Sequence, residues 1–210
     1  MKSHYWRRRV HAGWVVAALL AALSGTGCSG QPEATRRMRR LTHEETLAWI
    51  GEQQAWRLAR KTKPIWARPV RADEIGKEFQ TADRVVEVAR EGYWLCVGVA
   101  GEPWFQKPEK IGSRYERGDE EMKQFAFDPV PRAYTVYRPR GDVLNWVARV
   151  GGGDIEGFSV RAPYDRDHPL YSPAGGYVVK DHVADPYGDR PDDVWLVQQS
   201  LFESTYELVP

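Results

Sequence analysis

The sequence predicts an α+β fold in which an N-terminal helix precedes two small, mostly antiparallel β units that form a tandem repeat. Three observations support this prediction. A helix-start signal stands near residue 42, short apolar runs broken by Gly, Pro and Asp follow from residue 65, and one Trp-to-Tyr-Glu ending is written twice. The predicted order is a signal peptide (1–27), a basic tether (28–40), the helix (41–61), the first unit (62–117), a linker (118–125) and the second unit (126–210).

The chain opens with the features of a secretory signal. Arg7–Arg9 precede an apolar run that ends in small residues. Val15–Gly27 is 13 residues long, which is shorter than the ~20 residues that a membrane-spanning helix needs. The stretch "LSGTGC" resembles the lipobox of bacterial lipoproteins. This resemblance implies that Cys28 becomes the lipidated N-terminus of an exported protein, anchored on the periplasmic or cell-surface side; a plain signal peptide cut nearby is the alternative.

The tether carries a basic cluster, whereas the body of the chain is acidic. From Leu41 onward the chain holds 22 basic and 28 acidic residues, a net charge of −6. This sign predicts that the body binds no nucleic acid, because phosphate contacts need a cationic face. The cluster would rest on anionic lipid headgroups or stay in solvent, and both interpretations remain open. Its members are Arg36, Arg37, Arg39 and Arg40.

A capping box predicts where the helix begins. Thr42 is followed three residues later by Glu45, the spacing at which each side chain can bond the backbone of the other. Pro64 is expected to stop the helix. The apolar positions Leu47, Ile50 and Leu58 form one stripe, which we expect to pack on the domain behind it rather than bind a partner.

The first unit is predicted to contain short strands joined by tight turns. The pairs "EG" and "AGE" are turn signals that would join consecutive strands as hairpins. Asp73–Phe79 is predicted as a helical turn, and a second such turn begins at Pro108 and leads into a strand at Tyr115. The predicted strands are Ile65–Val70, Arg84–Ala89, Tyr93–Val99 and Pro103–Gln106.

The second unit follows the charged segment 118–125 and is predicted to contain a similar series. A turn around Ser200–Glu203 precedes its last strand. The predicted strands are Ala133–Arg138, Val143–Val150, Phe158–Ala162, Tyr177–Lys180, Val194–Val197 and Tyr206–Val209.

The two units share an aromatic ending at a constant offset. Trp104 and Tyr115 are 11 residues apart, as are Trp195 and Tyr206, and both pairs are offset by 91 residues. Upstream, Gly92-Tyr93 corresponds to Gly176-Tyr177, which indicates an internal repeat. Recurring aromatic residues most often fill the core of each unit, and stacking on a ligand is the alternative. They are Tyr93, Trp104, Tyr115, Tyr177, Trp195 and Tyr206.

The repeated segments also resemble a small domain of unknown function that is common in phage and prophage proteins. That family runs from a Gly-Asp-Tyr opening through Gly-Glu, an aromatic residue and Lys-Pro-Asp to a closing Thr-Tyr-Glu. The resemblance implies a small β-rich module and brings no known activity. The matching positions are Gly101-Glu102, Trp104, Lys107-Pro108-Glu109 and Tyr115-Glu116 in the first copy, and Phe202-Glu203 and Thr205-Tyr206-Glu207 in the second.

Two function classes follow from these features. The first is a non-catalytic, lipid-anchored binding or assembly module of the cell envelope, with an envelope protein or another envelope component as its partner and no cofactor. We expect Cys96 to be a small core residue rather than a nucleophile. The alternative is a metal-assisted hydrolase, although the spacing matches no known ligand motif and favours turns. Its ligands would come from Asp165, Asp167, His168, Asp181, His182 and Asp185.

Overall fold

The fold is mostly β-sheet. The computed structural model describes residues 38–81, 86–188 and 190–210. Strands hold 46% of these residues and helices 14%. The predicted α+β class with an N-terminal helix is therefore wrong: the three helices are short, and strand β1 (Arg39–Leu41) precedes the first of them. None of these helices has the length and apolar character that a membrane crossing requires.

Helix α1 (His43–Glu52) begins at the predicted capping box but ends earlier than predicted. Thr42 Oγ1 accepts a hydrogen bond from the Glu45 amide at 3.3 Å, and the Thr42 amide donates to Glu45 Oε2 at 2.8 Å. The helix ends before Gln54, whose φ of 46° is left-handed, and the chain then enters strand β2 (Arg57–Lys61). Backbone pairing on both sides of β2 outweighs the helix propensity of this segment.

Two five-stranded sheets form the body of the molecule. In the first sheet the strand order is β7-β6-β3-β9-β8, and in the second it is β14-β13-β10-β2-β15. The strands of the first sheet are β3 (Ile65–Pro69), β6 (Trp94–Val97), β7 (Pro103–Gln106), β8 (Tyr115–Lys123) and β9 (Arg132–Pro139). Those of the second, apart from β2, are β10 (Asn145–Arg149), β13 (Tyr177–Asp181), β14 (Val194–Val197) and β15 (Tyr206–Leu208).

The predicted boundaries at 118–125 and 126 do not separate the sheets. Residues 118–123 belong to β8 rather than to a linker. Strand β9 comes from the predicted second unit but lies in the first sheet, between β3 and β8. Conversely, β2 comes from the beginning of the chain and lies in the second sheet, between β10 and β15. Each sheet is therefore completed by a strand from the other part of the chain.

The two sheets have the same pairing register around their edge hairpins. Trp104 pairs with Cys96 and Trp195 with Val179 in equivalent positions. Helices α2 (Pro108–Arg114) and α3 (Gln199–Thr205) follow these hairpins. The register places Tyr177 at the position of Trp94, not of Tyr93, so the predicted Gly-Tyr correspondence is shifted by one residue.

Smaller elements cover the outer faces of both sheets. One core lies on the second sheet around Phe158, Val160 and Leu170. It is covered by β1, by α1 and by a hairpin of two strands, β11 (Ile155–Ala162) and β12 (Asp165–Pro173). The hairpin β4 (Glu78–Gln80) and β5 (Val86–Val88) covers the first sheet, where aromatic residues cluster. The opposite faces of the two sheets carry α2 and α3, and a cleft lies between them.

Candidate ligand-binding cleft

A cleft of about 990 Å³ lies between the face of the first sheet that carries α2 and the face of the second sheet that carries α3. Equivalent residues from the two sheets line it: Trp104 and Trp195 from the edge strands, and Tyr115 and Tyr206 from the strands that follow the helices. All four side chains are half-buried. This volume and its aromatic lining are typical of a small-molecule site.

The predicted repeat aromatics divide between lining the cleft and supporting it. Tyr93 joins the four residues named above in the lining. Tyr177 lies behind the lining of the cleft. Its ring centre is 3.6 Å from that of Phe202, and the ring of Phe202 stacks on that of Tyr206 with centres 4.9 Å apart. The same rings therefore pack against hydrophobic clusters on one side and face the cleft on the other. Core packing and ligand contact, the two sequence-based alternatives, are compatible here.

A lysine stands among these rings. Lys61, the last residue of β2, pairs with Tyr206 of β15. Its Nζ lies 5.1 Å from the centre of the Trp104 ring and 5.8 Å from that of Tyr115, so both rings stabilise the ammonium by cation–π contact. In the part of the chain that the structure describes, no carboxylate oxygen lies within 4.0 Å of this nitrogen. The positive charge is thus held by rings and not neutralised by an ion pair.

Two phenol groups adjoin this ammonium. Burial raises the pKa of Tyr115, and burial likewise raises that of Tyr206, although nearby Lys61 acts in the opposite direction. Both hydroxyls are therefore neutral at physiological pH. Neither forms a hydrogen bond with any of the described residues. Polar tips on packed rings usually find partners, so these hydroxyls are available to a bound molecule.

Two of the other cations that line the cleft share one acidic partner, whereas Arg90 and Lys107, also in the lining, are exposed to solvent. The Arg114 guanidinium forms an ion pair with Asp181, and Lys110 Nζ lies 4.0 Å from the same carboxylate. Arg114 also lies over the Trp195 ring, 5.9 Å from its centre. These contacts join α2 to the second sheet and fix one wall of the cleft.

Glu102 is a half-buried carboxylic acid in the lining of the cleft. Desolvation raises its pKa, while hydrogen bonds from backbone amides and the charge of Lys61 lower it less. One of those amides is that of Ala100, 3.0 Å from Glu102 Oε2. Lys61 and Glu102 therefore interact through their charges, but no ion pair within 4.0 Å joins them in the described part of the chain.

Cys96 is buried as expected. It lies in β6 behind Trp104, with no solvent-accessible surface. Desolvation raises the pKa of its thiol to about 12, and the charge of Lys61 only partly opposes this. The thiolate is therefore scarce at neutral pH, which makes Cys96 a core residue and not a reactive one.

The described side chains of the metal hypothesis do not converge. Asp181 pairs with Arg114, and Asp185 Oδ1 accepts a hydrogen bond from the Tyr187 amide at 2.9 Å, as in an Asx turn. His182 lies 5.6 Å from the ring of Trp146, while His168 lines the cleft. The side chain of Asp165 lies outside the described part. Among the residues that are described, no three His, Cys, Asp or Glu side chains form a group that could hold a metal ion.

The predicted anchor lies mostly outside the described residues, as Cys28, Arg36 and Arg37 do. The other two arginines of the basic cluster belong to β1. Arg39 Nε lies 3.3 Å from Asp154, and Arg40 donates a hydrogen bond to Glu156 at 2.8 Å. In the fold these two charges therefore face acidic side chains.

Comparisons of the chain with protein-family models, with curated proteins and with solved structures find no match. The resemblance to a phage-associated domain thus stays a prediction. Sequence reasoning found five of the aromatic residues in the cleft but missed Lys61, because the segment before Pro64 was assigned to the helix. The stretch "RLARK" has no alternation of apolar and polar residues, so it carries no clear local signal of a strand.

Proposed function

We propose that this chain is a non-catalytic, lipid-anchored protein of the cell envelope that binds an envelope component in the cleft between its two sheets. One observation carries the proposal: Lys61 and the phenols of Tyr115 and Tyr206 lie together among half-buried rings, and in the described part of the chain they form no ion pair and no side-chain hydrogen bond. A few convergent polar groups in an aromatic cleft are the usual composition of a ligand site.

The chemistry of the cleft supports binding rather than catalysis. Burial keeps the thiol of Cys96 protonated, and burial also keeps both phenols neutral. Asp181 is occupied by Arg114. These groups hold fixed charges and dipoles, which orient a ligand.

We further propose that the two sheets arose from one repeated element whose copies exchange their first strands. The equivalent pairing of Trp104 and Trp195 supports this, as do two equivalent backbone bonds: Thr62 N donates to Thr205 O at 2.8 Å, and Arg140 N to Arg114 O at 3.0 Å. The cleft then forms where the two copies face one another, as ligand sites often do at such junctions.

Site-specific crosslinking in native envelopes tests the binding function. A photoreactive residue at Gln106, which lines the cleft, is expected to capture a defined envelope component. The matched control is Met122, 66% exposed on edge strand β8 and not part of the cleft lining. Capture of the same component from both positions, or from neither, would contradict the proposed site.

The anchor is tested in the same cells with a palmitate analogue. We expect the wild-type protein to be labelled, and Cys28→Ala to remain unlabelled and to leave the membrane fraction. Equal labelling of the two proteins would rule out lipidation at Cys28.

A further inference from the structure

The charge of the cleft indicates the charge of its ligand. Lys61 carries a half-buried ammonium without an ion-pair partner among the described side chains. Arg114 and Lys110 already share Asp181, and the Glu102 carboxylate forms no ion pair within 4.0 Å of Lys61 among the described side chains. A half-buried charge gains from a partner, so the cleft is complementary to one negative charge near the end of β2.

A carboxylate fits this position better than a phosphate. Phosphate is usually held by the forked donors of arginine or by several backbone amides at once. Here the arginine fork of Arg114 is engaged by Asp181. The cation beside the Trp104 and Tyr115 rings is one compact ammonium, which matches one singly charged carboxylate, while Arg90 and Lys107 are exposed residues of the lining.

The uncharged part of the ligand must satisfy rings and polar groups together. Trp104 and Trp195 offer apolar surfaces, while the Tyr115 and Tyr206 hydroxyls offer hydrogen bonds. A sugar ring has an apolar C–H face and a rim of hydroxyls, so it can meet both requirements. A purely aromatic acid would leave the polar groups without partners once water is displaced, which is unfavourable.

A peptide that extends the first sheet at β7, or that pairs with β12, is a poorer match. Of the edge strands beside the cleft, β7 uses the Phe105 amide to bind Glu87 Oε2 at 3.0 Å. Edge strand β12, along the neighbouring groove, contains Pro169 and Pro173, which have no amide hydrogen to donate. Strand addition depends on such donors.

We propose that the cleft binds an acidic carbohydrate, with its carboxylate on the Lys61 ammonium, its hydroxyls on Tyr115 and Tyr206, and its ring faces on Trp104 and Trp195. The proposal rests on the binding function proposed above and specifies the ligand of the same site.

Titration calorimetry on the mature protein tests this inference with three probes: a galacturonate tetramer, a hyaluronan tetramer and a sialic acid dimer. We expect at least one to bind and its affinity to fall as salt is raised. For galacturonate, the methyl ester keeps the rings but removes the charge; for the others, the carboxylate is amidated. The neutral form should bind at least tenfold more weakly.

The residue assigned to the carboxylate is tested by Lys61→Met, which keeps an unbranched side chain over the rings. We expect at least a tenfold rise in Kd, whereas Lys61→Arg should retain binding and Lys77→Met, an exposed lysine outside the cleft, should leave Kd unchanged. Melting curves verify that each variant is folded. If Lys61→Met does not fold, the neutral-ligand comparison on wild-type protein decides alone.

Three results would overturn the inference: no acidic probe binds, the neutral forms bind equally well, or phenylacetate binds with the same dependence on Lys61 while no sugar does. In each case capture at Gln106 in the envelope could still succeed. Failure of the ligand class is thus distinguishable from failure of the binding function.

Discussion

At the scale of single residues, Tyr206 shows how one side chain can serve both the core and the cleft. Its ring lies parallel to that of Phe202, at an interplanar angle of 2°, and joins the cluster that includes Val147 and Val179. Its other side lines the cleft beside Lys61. The ring contributes to stability and the hydroxyl is free to contribute to binding.

These two roles separate in two substitutions. Tyr206→Ala removes the ring and should destabilise the protein by about 3 kcal/mol, the lower end for deletion of a buried aromatic residue, because Tyr206 is half-buried. Tyr206→Phe keeps the ring and should melt close to wild type. Thermal unfolding measures both, with Tyr171→Ala as a control at an exposed tyrosine outside the main cores. A wild-type melting curve for Tyr206→Ala would contradict the structural role.

At the scale of elements, a buried ion network joins three parts of the first sheet. Arg68 on β3 donates two hydrogen bonds of 2.6 Å to Glu74, which lies in the turn before β4. Arg68 also lies 3.5 Å from Asp128, in the loop between β8 and β9, and Tyr134 of β9 donates to that carboxylate. Arg68, Glu74 and Asp128 are all buried. The network ties β3 and the nearby turn at Glu74 to the loop at Asp128, which is distant from both in the sequence.

This network should make stability depend on pH. Desolvation alone would raise the pKa of Glu74, but hydrogen bonds from Arg68 and from the Arg71 amide outweigh it and leave the pKa lowered. A lowered folded-state pKa stabilises the fold above the unfolded value of ~4.3, and this contribution disappears as the pH falls through the folded value.

We therefore expect Glu74→Gln to lower the free energy of unfolding by about 3–5 kcal/mol at pH 7, as for a broken buried pair. The difference from wild type should shrink as the pH falls below about 4. Urea unfolding at pH 7, 4 and 3 measures it, with Asp73→Asn as the control at an exposed neighbour. If the difference in free energy of unfolding between wild type and Glu74→Gln does not change with pH, the charge of the Glu74 carboxylate is not its source.

At the scale of the whole molecule, the two sheets are interlocked. Strand β2 is bonded on both sides within the second sheet, with Ala59 opposite both Asn145 and Leu208. Strand β1 adds a parallel pairing with β11. Both β1 and β2 precede the strands of the first sheet in the chain. Strand pairing therefore joins the N-terminal segment to the segment from β10 onward, independently of the covalent link between β9 and β10.

A cut at that crossing tests the interlock. A protease site inserted after Gly141, in the exposed turn before β10, divides the chain into a part with β1 and β2 and a part with β10 to β15. We expect the fragments to elute together in size-exclusion chromatography and to separate only in denaturant. Ala59→Pro, which removes an amide donor from β2, should weaken their association. Two separate native peaks for the wild-type fragments would disprove the interlock.

Local signals were sufficient to predict several elements. The Thr42–Glu45 capping box, Pro108 at the start of α2 and the strands Pro103–Gln106 and Val194–Val197 lie where the sequence predicts them. Each depends on contacts within a few residues, or on an apolar run short enough to be a buried strand. The aromatic positions of the cleft were found for the same reason, because they recur at a constant spacing.

The sequence by itself thus determined the β-rich character, the main hairpins and the aromatic endings. Only the tertiary structure decided that Arg57–Lys61 is a strand. It also decided that β2 belongs to the second sheet and β9 to the first. Lys61 thereby lies beside Trp104, Tyr115 and Tyr206. Segment "YDRDHPLY", which favours turns locally, is mostly strand β12 because it pairs with β11. The physical reason is common to all of these: hydrogen bonds between strands distant in the chain outweigh local propensities of a few tenths of a kcal/mol per residue.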